Sequence, residues 1–278
     1  MDEPLKNQTQ NRRAIIDVGS NSVKLLIADV VDGVVMPLIH KGEQMRLGQG
    51  VFETGQLAPE AIEATARVVA DFAAKAKGHG AASVRVLATS AAREASNGDE
   101  LVAAISAGGL DLEIIDGQTE AELVLRGVRS LPDLAEGPLA IIDVGGGSTE
   151  LLVADASALR LQHSFHLGTV RWLEAFPVSD PPSAAERAKL VQALDEFLDE
   201  QVTPKLGGLP LPGTLIGAGG TSVFLSRIFL ERSDLAVDEI ESLRLSLPEV
   251  QSLTQRLWKM PLAARSELAG LPANRADV

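Results

Sequence analysis

Two short strings in this sequence combine carboxylates, glycines and hydroxyls in a way suited to holding phosphate. The first is Asp17-Val18-Gly19-Ser20-Asn21-Ser22 and the second is Asp143-Val144-Gly145-Gly146-Gly147-Ser148-Thr149. Glycines let successive backbone N–H groups approach an anion closely, and Ser20, Ser22, Ser148 and Thr149 add hydroxyl donors. Asp17 and Asp143 open the two strings, and Glu150 closes the second. Carboxylates beside a phosphate repel it unless a metal joins them. Mg²⁺, or Mn²⁺ in its place, takes oxygen ligands, keeps several waters and bridges carboxylates to phosphate oxygens, so Asp17, Asp143 and Glu150 are candidate ligands. In the first string Lys24 stands where the second has Glu150. That makes the first string a candidate cationic clamp, against the plainer reading of a lysine reaching for solvent.

Three further stretches carry candidate chemistry. In ATSAAREA, residues 88–95, a strand ends and Arg93 follows within a turn, where its planar fork could grip a phosphate; the plainer reading is a surface ion pair with Glu94 or Glu120. In IIDGQTEAEL, residues 114–123, Gly117 leads into a helix whose first turns hold Glu120 and Glu122. Acidic residues suit a helix N-terminus anyway, yet a carboxylate facing phosphate loops could orient an attacking water. In LIGAGGTS, residues 215–222, Gly219, Gly220 and Thr221 form a glycine turn entering a helix, suited to an anion or simply to close helix–strand packing. His163 and His166, three apart in a strand, point to opposite faces and are read as structural.

The elements that must position these residues are announced by an internal repeat. AIIDVGSNSVKLLIAD at 14–29 aligns without a gap on AIIDVGGGSTELLVAD at 140–155, and each reads as strand, turn, strand. Two facing copies would hold a phosphate chain, or nucleotide phosphates, in a cleft between duplicated lobes. The intervening pattern predicts helices at 59–77, 99–107 and 119–129 and strands at 83–89 and 112–115. Further helices are expected at 184–205, 221–230 and 248–259, with a loop at 177–183. Strands alternating with helices imply mixed sheets in two domains, 1–125 and 126–278.

Composition bounds the possibilities. With 45% hydrophobic and 23% charged residues the 278-residue chain is globular. It has no cysteine, which removes disulfides, thiolate metal sites and a cysteine nucleophile. No signal peptide or membrane span fits, so the cytoplasm is expected. A net charge of −13 argues against sequence-blind nucleic-acid binding. A polyanionic substrate would need local cations, for which Lys24, Arg46, Arg93 and Arg171 are the candidates.

DVGSNSVKLLI, ATSAAREA, GQTEAEL, IDVGGGSTELL, HLGTVRW and IGAGGTS, in this order, resemble the recurrent motifs of the exopolyphosphatase and guanosine pentaphosphate phosphohydrolase family. The resemblance implies a duplicated actin-like (ribonuclease H-like) α/β fold with a central cleft and Mg²⁺-dependent hydrolysis of terminal phosphoanhydride bonds. It also implies Glu120 as the catalytic glutamate, Asp143 and Glu150 as water- and metal-positioning acids, Arg93 as a phosphate ligand and residues 145–148 as the phosphate loop. Arg171 matches a family position that either touches substrate or supports the site. Thr119 departs from the pattern, since relatives often carry a second glutamate there. The chain stops at NRADV, where relatives continue into another helix and longer relatives add a whole helical domain. The missing domain points to the short form of the family, and the missing helix to a truncated chain or a compensating partner surface, since the apolar area it would leave exposed is a route to homodimerisation or instability. Inorganic polyphosphate leads as substrate, with guanosine pentaphosphate second. An actin-like kinase or ATPase would instead need an acceptor pocket, and a non-catalytic polyphosphate or alarmone sensor would have no need of three carboxylates near a polyanion.

Overall fold

The computed structural model describes residues 11–155 and 158–278. β1 (Asn11–Val18) alternates along its length, burying Ala14, Ile16 and Val18. β2 (Ser22–Val31) returns antiparallel with Val23, Leu25 and Ile27 opposite those three, so the shared face is apolar by register alone. β3 (Val34–Gln44) follows at the sheet edge, then the short α1 (Val51–Thr54) and α2 (Pro59–Gly78). α2 starts on Pro59, places Lys75 and Lys77 in its last turn, and buries Ile62, Thr65, Val69, Phe72, Ala73 and Ala76 on one stripe against the sheet. β4 (Ser83–Ala88) then pairs parallel with β1, and α3 (Ser90–Glu94), α4 (Gly98–Ser106) and β5 (Leu112–Ile114) complete a sheet of order β3-β2-β1-β4-β5.

The pattern then recurs. After α5 (Gly117–Arg129), β6 (Leu139–Val144), β7 (Thr149–Ala154) and β8 (Leu159–Phe165) form an antiparallel meander. α6 (Thr169–Ala175), α7 (Ala184–Phe197) and α8 (Thr203–Leu206) lead to β9 (Leu215–Ala218), parallel to β6. The order β8-β7-β6-β9 repeats β3-β2-β1-β4 strand for strand. α9 (Gly219–Leu230), α10 (Val237–Ser242), α11 (Leu247–Lys259) and α12 (Leu262–Arg265) follow. Two sheets of matching strand order make the duplicated α/β architecture that the repeat implies. Chain contacts divide it into one unit running to Asp116 and including Gly127–Ala135, and a second holding Gly117–Arg126 and Glu136–Val278.

Three details differ from the pattern read off the sequence. β3 gave no strand signal because as an edge strand it exposes Val34, Val35, Met36 and Leu38 and so has no period-two alternation. The strand at 83–89 ends one residue early, and Arg93 rides on α3. The helix expected at 184–205 passes through a π-helical stretch, Leu198–Val202, just before Pro204, which has no N–H to donate to the carbonyl four residues back. Among the described residues no helix is long and apolar enough to cross a membrane.

Candidate active site

Each repeat places a four-residue tip between paired strand ends, Val18 with Val23 and Val144 with Thr149. Both tips close the same way, by Gly19 N–H donating to Ser22 O and Gly145 N–H to Ser148 O, each at 2.9 Å. In the second tip the remaining carbonyls are all held from one side. Gly145 O accepts from Thr169 N at 3.0 Å and Gly146 O from Val170 N at 2.9 Å and Arg171 N at 3.1 Å. Gly147 O accepts from the Arg171 guanidinium Nε at 2.7 Å. A planar trans peptide carries its N–H opposite its C=O, so the amides of Gly146, Gly147 and Ser148 are directed to the other side, as an anion-binding nest requires.

Beneath this tip, register lines up Ser164 of β8, Glu150 of β7, Asp143 of β6 and Ala218 of β9 in one row across four strands. Glu150 is 2% exposed and accepts a hydrogen bond from Ser164 Oγ at 2.7 Å. Like charges directly opposite each other on neighbouring strands destabilise a sheet. Two such carboxylates under an amide nest form an oxygen donor set of the kind that Mg²⁺ shares with waters and phosphate oxygens. Among the described residues no group of three or more His, Asp or Glu gathers to hold a metal. At the end of the row α9 begins, with Gly219 at φ +74° and its Cα against the Asp143 carboxylate. Thr221 Oγ1 donates to Val144 O at 2.7 Å, pinning the helix start to the tip. Glu120 lies in the first turn of α5, which Gln162 of β8 holds by donating from Nε2 to Gln118 O at 2.5 Å. Gln162 is on the same face of β8 as Ser164, so Glu120's turn is fixed beside the strand that supports Glu150.

The first tip is built alike but charged differently. Ser20, Asn21 and Ser22 are buried. Gly48 N donates to Ser20 O at 2.7 Å, and Met45 N and Arg46 N to Asn21 O at 3.0 Å each. Lys24 Nζ lies 3.7 Å from Asp17 Oδ2, an internal ion pair where the second repeat has two acids. Ala91 N donates to Ser20 Oγ at 3.2 Å, bringing the start of α3 to the tip. Ser90 Oγ donates to Glu94, while Arg93 Nη1 donates to Ile115 O at 2.9 Å, so Arg93 is anchored where α3 meets the strand before Gly117.

Against this geometry the sequence comparisons are decisive: residues 26–278 match the profile of the Ppx/GppA phosphatase family. The chain belongs to that family. Exopolyphosphatase 2 of Mycobacterium tuberculosis is 35% identical, the match covering 96% of this chain and 86% of that protein. The Guanosine-5'-triphosphate,3'-diphosphate pyrophosphatase of Aeromonas salmonicida is 31% identical over 95% of this chain, which spans about half (52%) of that longer protein. Among solved structures, an exopolyphosphatase from Cytophaga hutchinsonii superposes with a TM-score of 0.87 at 30% identity, covering 96% of this chain and 86% of that one.

Several supporting residues of this Ppx/GppA chain escaped the sequence reading. Gly48 and Gly168 occupy matching places, each one residue after a leucine just beyond the third strand of its repeat. A side chain on Gly168 would overlap the backbone of Gly146 and Gly147, and one on Gly48 would stand 2.9 Å from Ser20 Cβ. The paired Leu-Gly at 47–48 and 167–168 is the signal that could have found them. The structure uses Arg171 to support the second tip from behind. His163 packs edge-on to Phe165, 4.5 Å between ring centres, and burial, then Lys205 and His166, hold its pKa below the usual histidine value.

Proposed function

We propose that this protein is a cytoplasmic exopolyphosphatase that hydrolyses the terminal phosphoanhydride bond of inorganic polyphosphate to release orthophosphate. The observation that carries the reading is the second tip, whose carbonyls are all held from behind so that its amides present a nest to a phosphoryl group. The 35% identity to Exopolyphosphatase 2 supports the same substrate. In this reading the amides of residues 146–148, with the Ser148 and Thr149 hydroxyls, bind the terminal phosphoryl oxygens, and the start of α9 at Gly219, Gly220 and Thr221 borders them. Glu120 orients a water and takes its proton as the water oxygen bonds to phosphorus. The bridging P–O bond breaks and the shortened chain leaves with its electron pair. Asp143 and Glu150 would hold a divalent cation, Mg²⁺ or Mn²⁺, which would neutralise charge on the phosphate oxygens. The first tip, residues 19–22, is a second phosphate-binding element, with Lys24, Arg46 and Arg93 as its cations and Asp17 as the partner of Lys24.

A second substrate, guanosine pentaphosphate, is favoured by the Aeromonas relative's name and by the same terminal anhydride chemistry. Phosphate release with Mg²⁺ from defined-length polyphosphates, guanosine pentaphosphate and ATP, run beside Glu120→Gln, tests both. Glu120→Gln is expected to lose about 10²- to 10⁴-fold in kcat, the usual worth of a general base. Release from guanosine pentaphosphate alone would move the assignment to that substrate. Tight ligand binding without release from any of the three would reject hydrolysis in favour of a sensor.

A further inference from the structure

The two repeats treat their opening aspartates differently, and the difference lies at two positions, one on each neighbouring strand. In the first, Asp17 pairs with Leu87 of β4, and the next residue, Ala88, is a fully buried part of the strand. Asp17 turns to the neighbouring strand, where Lys24 is 3.7 Å away. In the second, the cross-strand neighbour of Asp143 is Glu150, which offers repulsion in place of an ion pair. Asp143 pairs on its other side with Ala218, and the next residue is Gly219, where the chain turns at φ +74° into α9. A Cβ built on Gly219 would overlap Asp143 Oδ1 and stand 2.9 Å from Cγ and 3.2 Å from Oδ2. The carboxylate therefore occupies the space a side chain would take.

We propose that Gly219 is a positioning residue that acts through Asp143: the missing side chain is a slot that seats the Asp143 carboxylate at the start of α9. Seated there, the carboxylate leans away from Glu150 and is held in one orientation before any ligand arrives. The slot explains why the second repeat tolerates two adjacent acids in its sheet where the first has an acid and a lysine. Gly219 is then not a phosphate ligand in its own right. The proposal rests on the phosphatase reading for its consequence, and on geometry alone for the slot.

A double-mutant cycle with Gly219→Ala, Asp143→Ala and the combined variant tests it, read in two ways on the full chain. In phosphate release from polyphosphate, Gly219→Ala is expected to lower kcat about 100-fold with KM little changed, the scale of a 1 Å misplacement. The combined variant should be no slower than Asp143→Ala alone. In thermal unfolding, Gly219→Ala should lower the midpoint markedly in the native background and much less once the Asp143 carboxylate is gone, leaving only the cost of a left-handed alanine. If Gly219→Ala does not fold, recovery of a folded protein in the combined variant carries the same meaning. Rate and midpoint effects that simply add, or a combined variant that stays unfolded, would overturn the slot. Should none of the proteins release phosphate from any substrate, the hydrolase reading fails while the unfolding cycle still decides the slot.

Discussion

At the scale of single residues, the site depends as much on absent atoms as on present ones. Gly168 has no ligand to bind, yet its backbone is pressed against Gly146 and Gly147, so the shape of the second tip is set by a hydrogen where other residues have a side chain. Gly168→Ala must push that tip out of place. We expect kcat/KM for polyphosphate to fall about 100-fold in a protein that remains folded by circular dichroism, because displacing a catalytic group by about 1 Å costs on that order. Wild-type turnover in Gly168→Ala would mean that the tip does not carry the chemistry. Ser164 belongs to the same class of support, since its hydroxyl fixes the buried Glu150. The carboxylates and tip glycines were legible from their types and spacing. Ser164 was not, because a serine in a strand means nothing until cross-strand register gives it a neighbour, and Gly168 was marked only by the repeated Leu-Gly, whose physical reason is a non-local approach of backbone.

At the scale of elements, local rules explain most boundaries and also identify the weak points. α7 begins with a capping box in which Ser183 Oγ accepts from Glu186 N and Glu186 accepts from Ser183 N, and Ser179 adds its N–H and hydroxyl to the same carboxylate. Those donors, the Ser179 hydroxyl first, hold Glu186 down from 4.5 to about 2. A carboxylate whose folded pKa is lowered adds stability above its unfolded pKa, and that stability is lost as pH falls through the folded value. The contribution should therefore be complete above about pH 4.5 and vanish toward pH 2. Comparing denaturation of the native protein and Glu186→Gln across that range checks it; parallel curves would refute it. α2 offers the opposite case: Thr65 is fully buried, its Oγ1 has no hydrogen-bond partner, and it stands on the apolar stripe. Thr65→Val keeps the shape and removes the orphaned hydroxyl, so it should stabilise the protein by about 1 kcal/mol in urea titration.

At the scale of the whole molecule, the net charge of −13 sets a polyanionic substrate against a long-range repulsive field that Lys24, Arg46, Arg93 and Arg171 oppose only locally. Salt shortens that field from about 30 Å at 10 mM to about 8 Å at 150 mM. With metal held constant and saturating, kcat/KM for long polyphosphate should rise over this range as repulsion is screened, and the rise should be smaller for short chains. A fall with salt would show instead that local cations steer the substrate and outweigh the net charge.

The sequence by itself determined the duplication, the fold that follows from it and the two phosphate-suited tips, because a gapless 16-residue repeat of strand, glycine turn and strand is local information. It also marked Glu120, although acidic residues favour a helix start for reasons unrelated to catalysis. Only the tertiary structure decided which carbonyls are held from behind and that Arg171 supports the second tip. It alone showed that Asp17 has a lysine beside it, whereas Asp143 has an acid on one strand and a glycine slot beyond the other. The Arg171 and Gly219 contacts join residues far apart in the chain, through a close approach of backbone that no spacing within a single segment encodes. The pairings of Asp17 with Lys24 and of Asp143 with Glu150 each lie within one hairpin and are set by its strand register.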